Sequence, residues 1–142
     1  MSTEIILTHY QDHLDEIAQV RHKVFIQEQK VPKELEWDER DALCQHVLIR
    51  QHGQPVATGR IDLEKGGKVG RVAVLANERS HGLGRQVMRA LEQVAKDAKL
   101  EKVWFHAQNS AIGFYQKLDY LIVSDEFMEA GILHCTMEKF IR

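Results

Sequence analysis

The chain has 142 residues, a formal net charge of −2 and two cysteines. That length suits one domain with a sizeable core, and the charge gives no support to a non-specific nucleic-acid binder. Two cysteines without C-x-x-C spacing make neither a disulfide framework nor a zinc site, and no apolar run approaches the roughly 18 residues of a membrane-spanning helix.

Residues 5–10 are rich in β-formers and predict a first strand. Asp12 is the expected N-cap of a helix whose apolar stripe is Leu14, Ile17, Val20 and Val24, and which reaches Phe25 or Gln27. Residues 28–41 are irregular, since Pro32 limits helix continuation and restricts Val31. Val31, Leu35 and Trp37 are expected to fold back onto the core. Glu34, Glu36, Asp38, Glu39 and Asp41 concentrate negative charge here. Such a run is either a solvated face or a wall that attracts a cationic amine.

Residues 44–50 and 55–63 predict the second and third strands, turned at Gly53, and a fourth strand begins near Lys68. Short turns between them indicate an antiparallel meander. Within the fourth strand, Val69, Arg71, Ala73 and Leu75 share one parity, and Val72 and Val74 share the other. From Leu83 the period changes: Leu83, Val87, Leu91 and Val94 recur at helical spacing, with Met88 and Ala95 widening the stripe. This helix should end near residues 96–99, where lysines complement its negative end.

Residues 103–107 are a strongly apolar fifth strand. The intervening helix is long enough for a crossover, so the fourth and fifth strands should be parallel. Asn109 or Ser110 opens a further helix with Ala111, Phe114, Tyr115 and Leu118 on its apolar side. Residues 120–123 predict a sixth strand, 124–131 a loop and 132–137 a last strand. Residues 1–142 thus read as a single α/β domain with a mixed sheet. The N-terminus lacks a basic segment followed by an apolar one, so the expected home is the cytoplasm. Cys44 and Cys135 both sit in strand-like apolar runs and are expected to be buried thiols.

The turn between the fourth strand and the long helix carries the chemistry. Gly82 and Gly84 lack Cβ, so a ligand can approach the backbone. The first-turn N–H groups of the helix favour anionic oxygens, and Arg79 and Arg85 add fixed positive charge. Two phosphate motifs are excluded: there is no G-x-x-x-x-G-K-[ST], and the third glycine of the dinucleotide fingerprint is missing.

Arg79-Ser80-His81-Gly82-Leu83-Gly84 resembles the R/Q-x-x-G-x-G/A motif of the GNAT superfamily of acyl-CoA-dependent N-acyltransferases. Residues 109–118 are similar to that family's N-x-x-A-x-x-F-Y-x-K-x-G-F segment, with Ala111 displaced by one and Asp119-Tyr120 in place of Gly-Phe. Aspartate would then have to make the left-handed turn. Arg21-His22-x-Val24-Phe25-Ile26-x-Glu28-Gln29-x-Val31-Pro32, followed by Glu36, Asp38, Asp41 and His46, resembles the ElaA-like subgroup, as does the stretch from Glu126 to His134. The resemblance implies a GNAT-like fold: an antiparallel N-terminal meander, a splayed parallel strand pair, and helices on both faces.

The resemblance also implies acetyl-CoA as donor. Its pyrophosphate would meet Arg79, Ser80, His81, Gly82, Leu83, Gly84 and Arg85, its pantetheine would run along Val72, Val74 and Leu75, and Asn109 would contact it or cap the next helix. Tyr115 matches the tyrosine that protonates the leaving thiolate. Candidates for the base are His46, His134 and Glu36, with His106 and Asp38 also open. No metal is implied. The expected reaction is direct transfer of acetyl to a primary amine; the alternative is an acyl-CoA-binding module without turnover. A small cationic amine is the favoured acceptor, protein lysine and a peptide N-terminus stay open, no nucleic acid or membrane partner is expected, and oligomeric state is undetermined.

Overall fold

The strand-forming segments at the two ends of the chain meet in one eight-stranded mixed sheet. In the computed structural model, which describes residues 3–141, β1 (Thr3–His9), β2 (Gln45–Gln51), β3 (Gln54–Asp62) and β4 (Lys68–Val74) pair antiparallel in chain order. β5 (Lys102–Gln108) lies parallel to β4. β6 (Leu121–Ile122) and β7 (Phe127–Glu129) are short, and both pair with one edge of β8 (Ile132–Phe140), whose other edge pairs with β5. The antiparallel meander and the parallel pair are therefore both present.

Helices cover both faces. α1 (Leu14–Arg21) passes into a π-helical segment, His22–Glu28, followed by the single turn α2 (Lys33–Glu36). α3 (Leu83–Asp97) is the crossover between β4 and β5, and α4 (Ile112–Gln116) follows β5. Leu83, Val87, Met88, Leu91 and Ala95 of α3 bury against Val47, Ile49, Ala57, Ile61, Val69, Val103 and Phe105. The approach is close because β3 offers a glycine: a Cβ on Gly59 would stand 2.7 Å from Val87 Cγ1. Leu91 is fully buried, so truncating it to alanine should cost about 2–5 kcal/mol. On the other face, Val20, Val24 and Phe25 pack on Ala73. Among the described residues, no helix is long and apolar enough to cross a membrane.

Several details differ from the sequence reading. β4 does not keep one parity. The β3–β4 register steps from Thr58 opposite Ala73 to Arg60 opposite Gly70, two residues against three. The extra residue is a β-bulge at Arg71, whose φ is +52°, and a bulge reverses the faces that follow it. Val69, Val72 and Val74 consequently pack with α3, while Ala73 packs with the α1 side.

Asp12 does not cap α1. His13 holds the N-cap position without a side-chain bond, and Asp12 sits in a preceding 3₁₀ turn. Leu35 and Trp37 are exposed rather than folded onto the core, and only Val31 packs inward. Asp119 does make the left-handed turn, at φ +75°, which delivers Tyr120 to the interior, where its hydroxyl donates to Glu92 at 2.6 Å. Cys44 and Cys135 are buried free thiols.

Candidate functional site

β4 and β5 touch at one end only. Their pairing is confined to Lys68 opposite Trp104, with Trp104 N–H donating to Gly67 at 3.1 Å. Past that point the bulged strand bends away, because a bulge adds local twist. A cleft of about 980 Å³ opens between the strands. Leu75 N–H donates to Val56 on the β3 side at 3.0 Å. Strand alternation therefore turns the N–H and carbonyl of Val74 to the opposite edge, toward the gap. Its carbonyl accepts from Arg79 Nε at 3.0 Å, consistent with that direction.

The glycine turn closes one end of the cleft. Ser80 and Gly82 have φ of +72° and +78°, and nothing lies within 4 Å of a Cβ built on Gly82. Val72, Val74, Arg79, Ser80, Gly82, Leu83 and Gly84 line the cleft. Leu75, His81 and Arg85 do not. Arg79 is held by Glu28 on the π-helical segment at 2.6 and 2.7 Å. Asn109 is also outside the lining: its amide donates to Glu126, and its Oδ1 is buried without a partner. It caps no helix by its side chain, since Gln108 and Ala111 occupy the cap positions.

Tyr115 reaches the cleft from α4. Its ring packs against Phe105 at 4.4 Å and Phe114 at 5.0 Å between centroids. Its hydroxyl has no hydrogen-bond partner among the described residues, and burial pushes its pKa up to about 12. The phenol is thus fixed by packing and stays protonated near neutral pH.

The candidate bases separate. His46 on β2 is buried away from the cleft; its Nε2–H donates to the Asp41 carbonyl at 2.8 Å, and burial lowers its pKa. It is a packed interior histidine here. Glu36 reaches the cleft but is bonded by Arg21 Nε. His134 and His106 both line the cleft, facing Glu129. Glu129 accepts from His106 Nδ1 at 3.0 Å and stands 3.7 Å from His134 Nε2. His134 Nδ1 lies 2.7 Å from the Ile132 carbonyl oxygen. Donation there leaves Nε2 with its lone pair, facing the cleft side.

The acidic segment is not a free negative wall. Arg60 binds Asp38 at 2.7 and 2.9 Å and Asp41 at 2.7 Å. Arg21 binds Asp41 at 2.7 Å and also Glu36. Hydrogen bonds from Arg60 hold the Asp38 pKa down to about 2, and Asp41 is fully buried. The arginines that neutralise this segment come from α1, β3 and β4, too far along the chain for local sequence to pair them. Sequence reading also missed the bridge of Gln108 to Gln29 at 2.8 Å, which ties β5 to the π-helical segment at the cleft rim. It gave no role to Lys68 or Arg71, both cleft-lining.

Known proteins share this fold. A family model described as an acetyltransferase (GNAT) domain matches residues 10–141. YjcF of Bacillus subtilis, described as an uncharacterized N-acetyltransferase, is 37% identical over 136 residues, covering 94% of this chain and 97% of the relative. An acyl-CoA N-acyltransferase from Pseudomonas aeruginosa superposes with TM-score 0.85 at 28% identity, covering 97% of this chain and 99% of that one. ElaA of Escherichia coli superposes with TM-score 0.84 at 26% identity, with the same coverage.

Proposed function

The chain belongs to the GNAT acetyltransferase family, and on that premise we propose that it transfers an acetyl group from acetyl-CoA directly to the primary amine of a small acceptor. The parting of β4 from β5 carries this reading, because it exposes the edge of β4 to a gap into which Tyr115 projects. The residues present fit an acyl-CoA donor. The glycine turn at Gly82 opens onto the N-terminus of a 15-residue helix, where backbone N–H groups favour phosphate oxygens. Val72 and Val74 offer strand-edge groups to an amide-bearing arm.

The donor supplies a thioester, whose carbonyl the amine attacks. Val74 N–H, at the open edge, can stabilise negative charge that develops on the carbonyl oxygen. His134 Nε2 accepts a proton from the incoming ammonium, and Glu129 stabilises the imidazolium that results. Tyr115 gives its hydroxyl proton to the departing sulfur and recovers one from the amide nitrogen through solvent. A thiol pKa of about 8.5 makes the sulfur a tolerable leaving group, so this acid contributes the lower part of the usual range of about 10²–10⁴. The test is a screen of amines against acetyl-CoA, following thiol release. Amine-dependent release supports transfer. Tight acetyl-CoA binding with no release across amines would support a binding module instead.

A further inference from the structure

Beyond Glu129, His106 and Trp104 the cleft lining turns cationic, and two of its charges are incompletely answered. Lys68 is half-buried at the point where β4 and β5 last touch, with Nζ 5.3 Å over the Trp104 ring. It makes no ion pair among the described residues; burial lowers its pKa, and the charge of Glu129, not in contact with it, offsets part of that. Arg71 occupies the bulge at φ +52°, a strained conformation for a side-chain-bearing residue, of the kind that collects at functional sites. The strain re-aims the side chain. Carbonyl oxygens of Glu36 and Leu35 accept from its Nε and Nη2 at 2.7 and 3.2 Å. Its one carboxylate contact is to Asp38 at 3.3 Å, and Asp38 is already held more closely by Arg60. Arg71 Nη1 has no partner among the described residues. Seven lysine and arginine side chains but five carboxylates line the cleft, although the whole chain carries a net −2.

We infer that the acceptor carries a carboxylate beside its reacting amine, as an amino acid does, and that Lys68 and Arg71 hold that carboxylate. A half-buried lysine with no carboxylate in contact is poorly compensated, and a carboxylate ligand would answer it through charge-assisted hydrogen bonds. The donor's phosphates do not compete for this place. At about 3.3 Å per residue, Lys68 lies at most about 20 Å along the bulged β4 from Val74 and the glycine turn beyond it, and Arg71 about 10 Å. Next to Lys68, past Trp104, Glu129 with His106 and His134 provides the complementary acidic place for an ammonium. The site thus offers opposite charges to the two ends of a zwitterion, whereas the neutralised acidic segment offers little to a purely cationic amine.

The inference rests on the acetyl-transfer reading, and the experiment separates the two. Thiol release from acetyl-CoA is measured with a panel of amino acids, their α-carboxamides and the corresponding decarboxylated amines. The best amino acid should exceed its carboxamide by about tenfold or more in kcat/KM, as expected for a charge-assisted contact. Lys68→Met should reduce that preference to about threefold or less without moving the KM for acetyl-CoA, and Lys68→Arg should retain it. Equal or better use of the uncharged analogues, or a preference that survives in folded Lys68→Met, would overturn the inference while leaving transfer intact. If no amine is turned over, the transfer reading fails. Calorimetric titration of N-acetyl amino acids against their amides, with coenzyme A present, then decides the carboxylate site on its own: tighter binding of the acids sustains it, and equal binding overturns it.

Discussion

The ring of Phe114 lies over Gly84: a Cβ at position 84 would stand 2.9 Å from Phe114 Cζ. Sequence reading reserved that space for a ligand, but an aromatic side chain from α4 fills it. Gly84→Val must push the ring aside, into the cleft it shares with Tyr115. Acetyl-CoA affinity should fall about tenfold or more, roughly 1.4 kcal/mol. Adding Phe114→Ala should restore it to within about threefold, because the obstructing ring is gone. Calorimetry on folded variants checks both. Unchanged affinity in Gly84→Val would contradict the packing account.

Asp41 is fully buried between Arg21 and Arg60. Asp41→Asn keeps the shape but leaves two guanidinium groups short of a counter-charge, and should cost about 3–5 kcal/mol in chemical denaturation. The pH dependence has a definite sign. The arginines hold the carboxyls of Asp38 and Asp41 below their ordinary values, Asp38 to about 2. Their contribution is full above the unfolded pKa of about 3.9 and is lost as pH falls through the folded value. Wild-type stability should therefore drop between about pH 4 and pH 2 more steeply than that of Asp41→Asn. Parallel slopes would show that this network is not what titrates.

Much of this fold was legible because periodicity reports burial. The stripe from Leu83 to Ala95 and the strand alternations place the sheet and its crossover helix. The bulge at Arg71 was signalled only by Gly70, a glycine inside a strand pattern of the kind that marks bulges, and overlooking it reverses every later face. The π-helical segment was equally hidden: Gln29 N–H reaches Val24 rather than the residue four back, and no local sequence signal distinguishes that bonding from an α-helix. For the site, Tyr115 and the glycine turn were visible through motif resemblance. The partition of the histidines was not, because His46 and His134 occupy similar strand contexts in sequence and only the sheet order decides which one meets the cleft.

His134 lies with Nδ1 2.7 Å from the Ile132 carbonyl oxygen and Nε2 on the Glu129 side, the arrangement on which its proposed role as base rests. His134→Asn should lower kcat/KM at neutral pH by about 10²–10⁴. The deficit should shrink as pH approaches the acceptor's own amine pKa, where unprotonated amine is already abundant. A pH-rate profile of both proteins checks this. A deficit that stays constant with pH would assign His134 to packing against Phe127 instead.

Tyr115 carries the central claim, since among the described residues it is the one tyrosine that lines the cleft between β4 and β5. Its pKa of about 12 means that it keeps its proton at neutral pH and can donate to sulfur. Tyr115→Phe retains the contacts with Phe105 and Phe114 and removes only the donor. The deciding measurement is single-turnover acetyl transfer at saturating amine, which slow product release cannot mask. The chemical step should slow by roughly 10–1000-fold, with acetyl-CoA affinity changed by less than about threefold, and the loss should shrink for a donor with a more acidic thiol. An unchanged single-turnover rate in the folded variant would contradict the account and leave Tyr115 as a packed residue of α4.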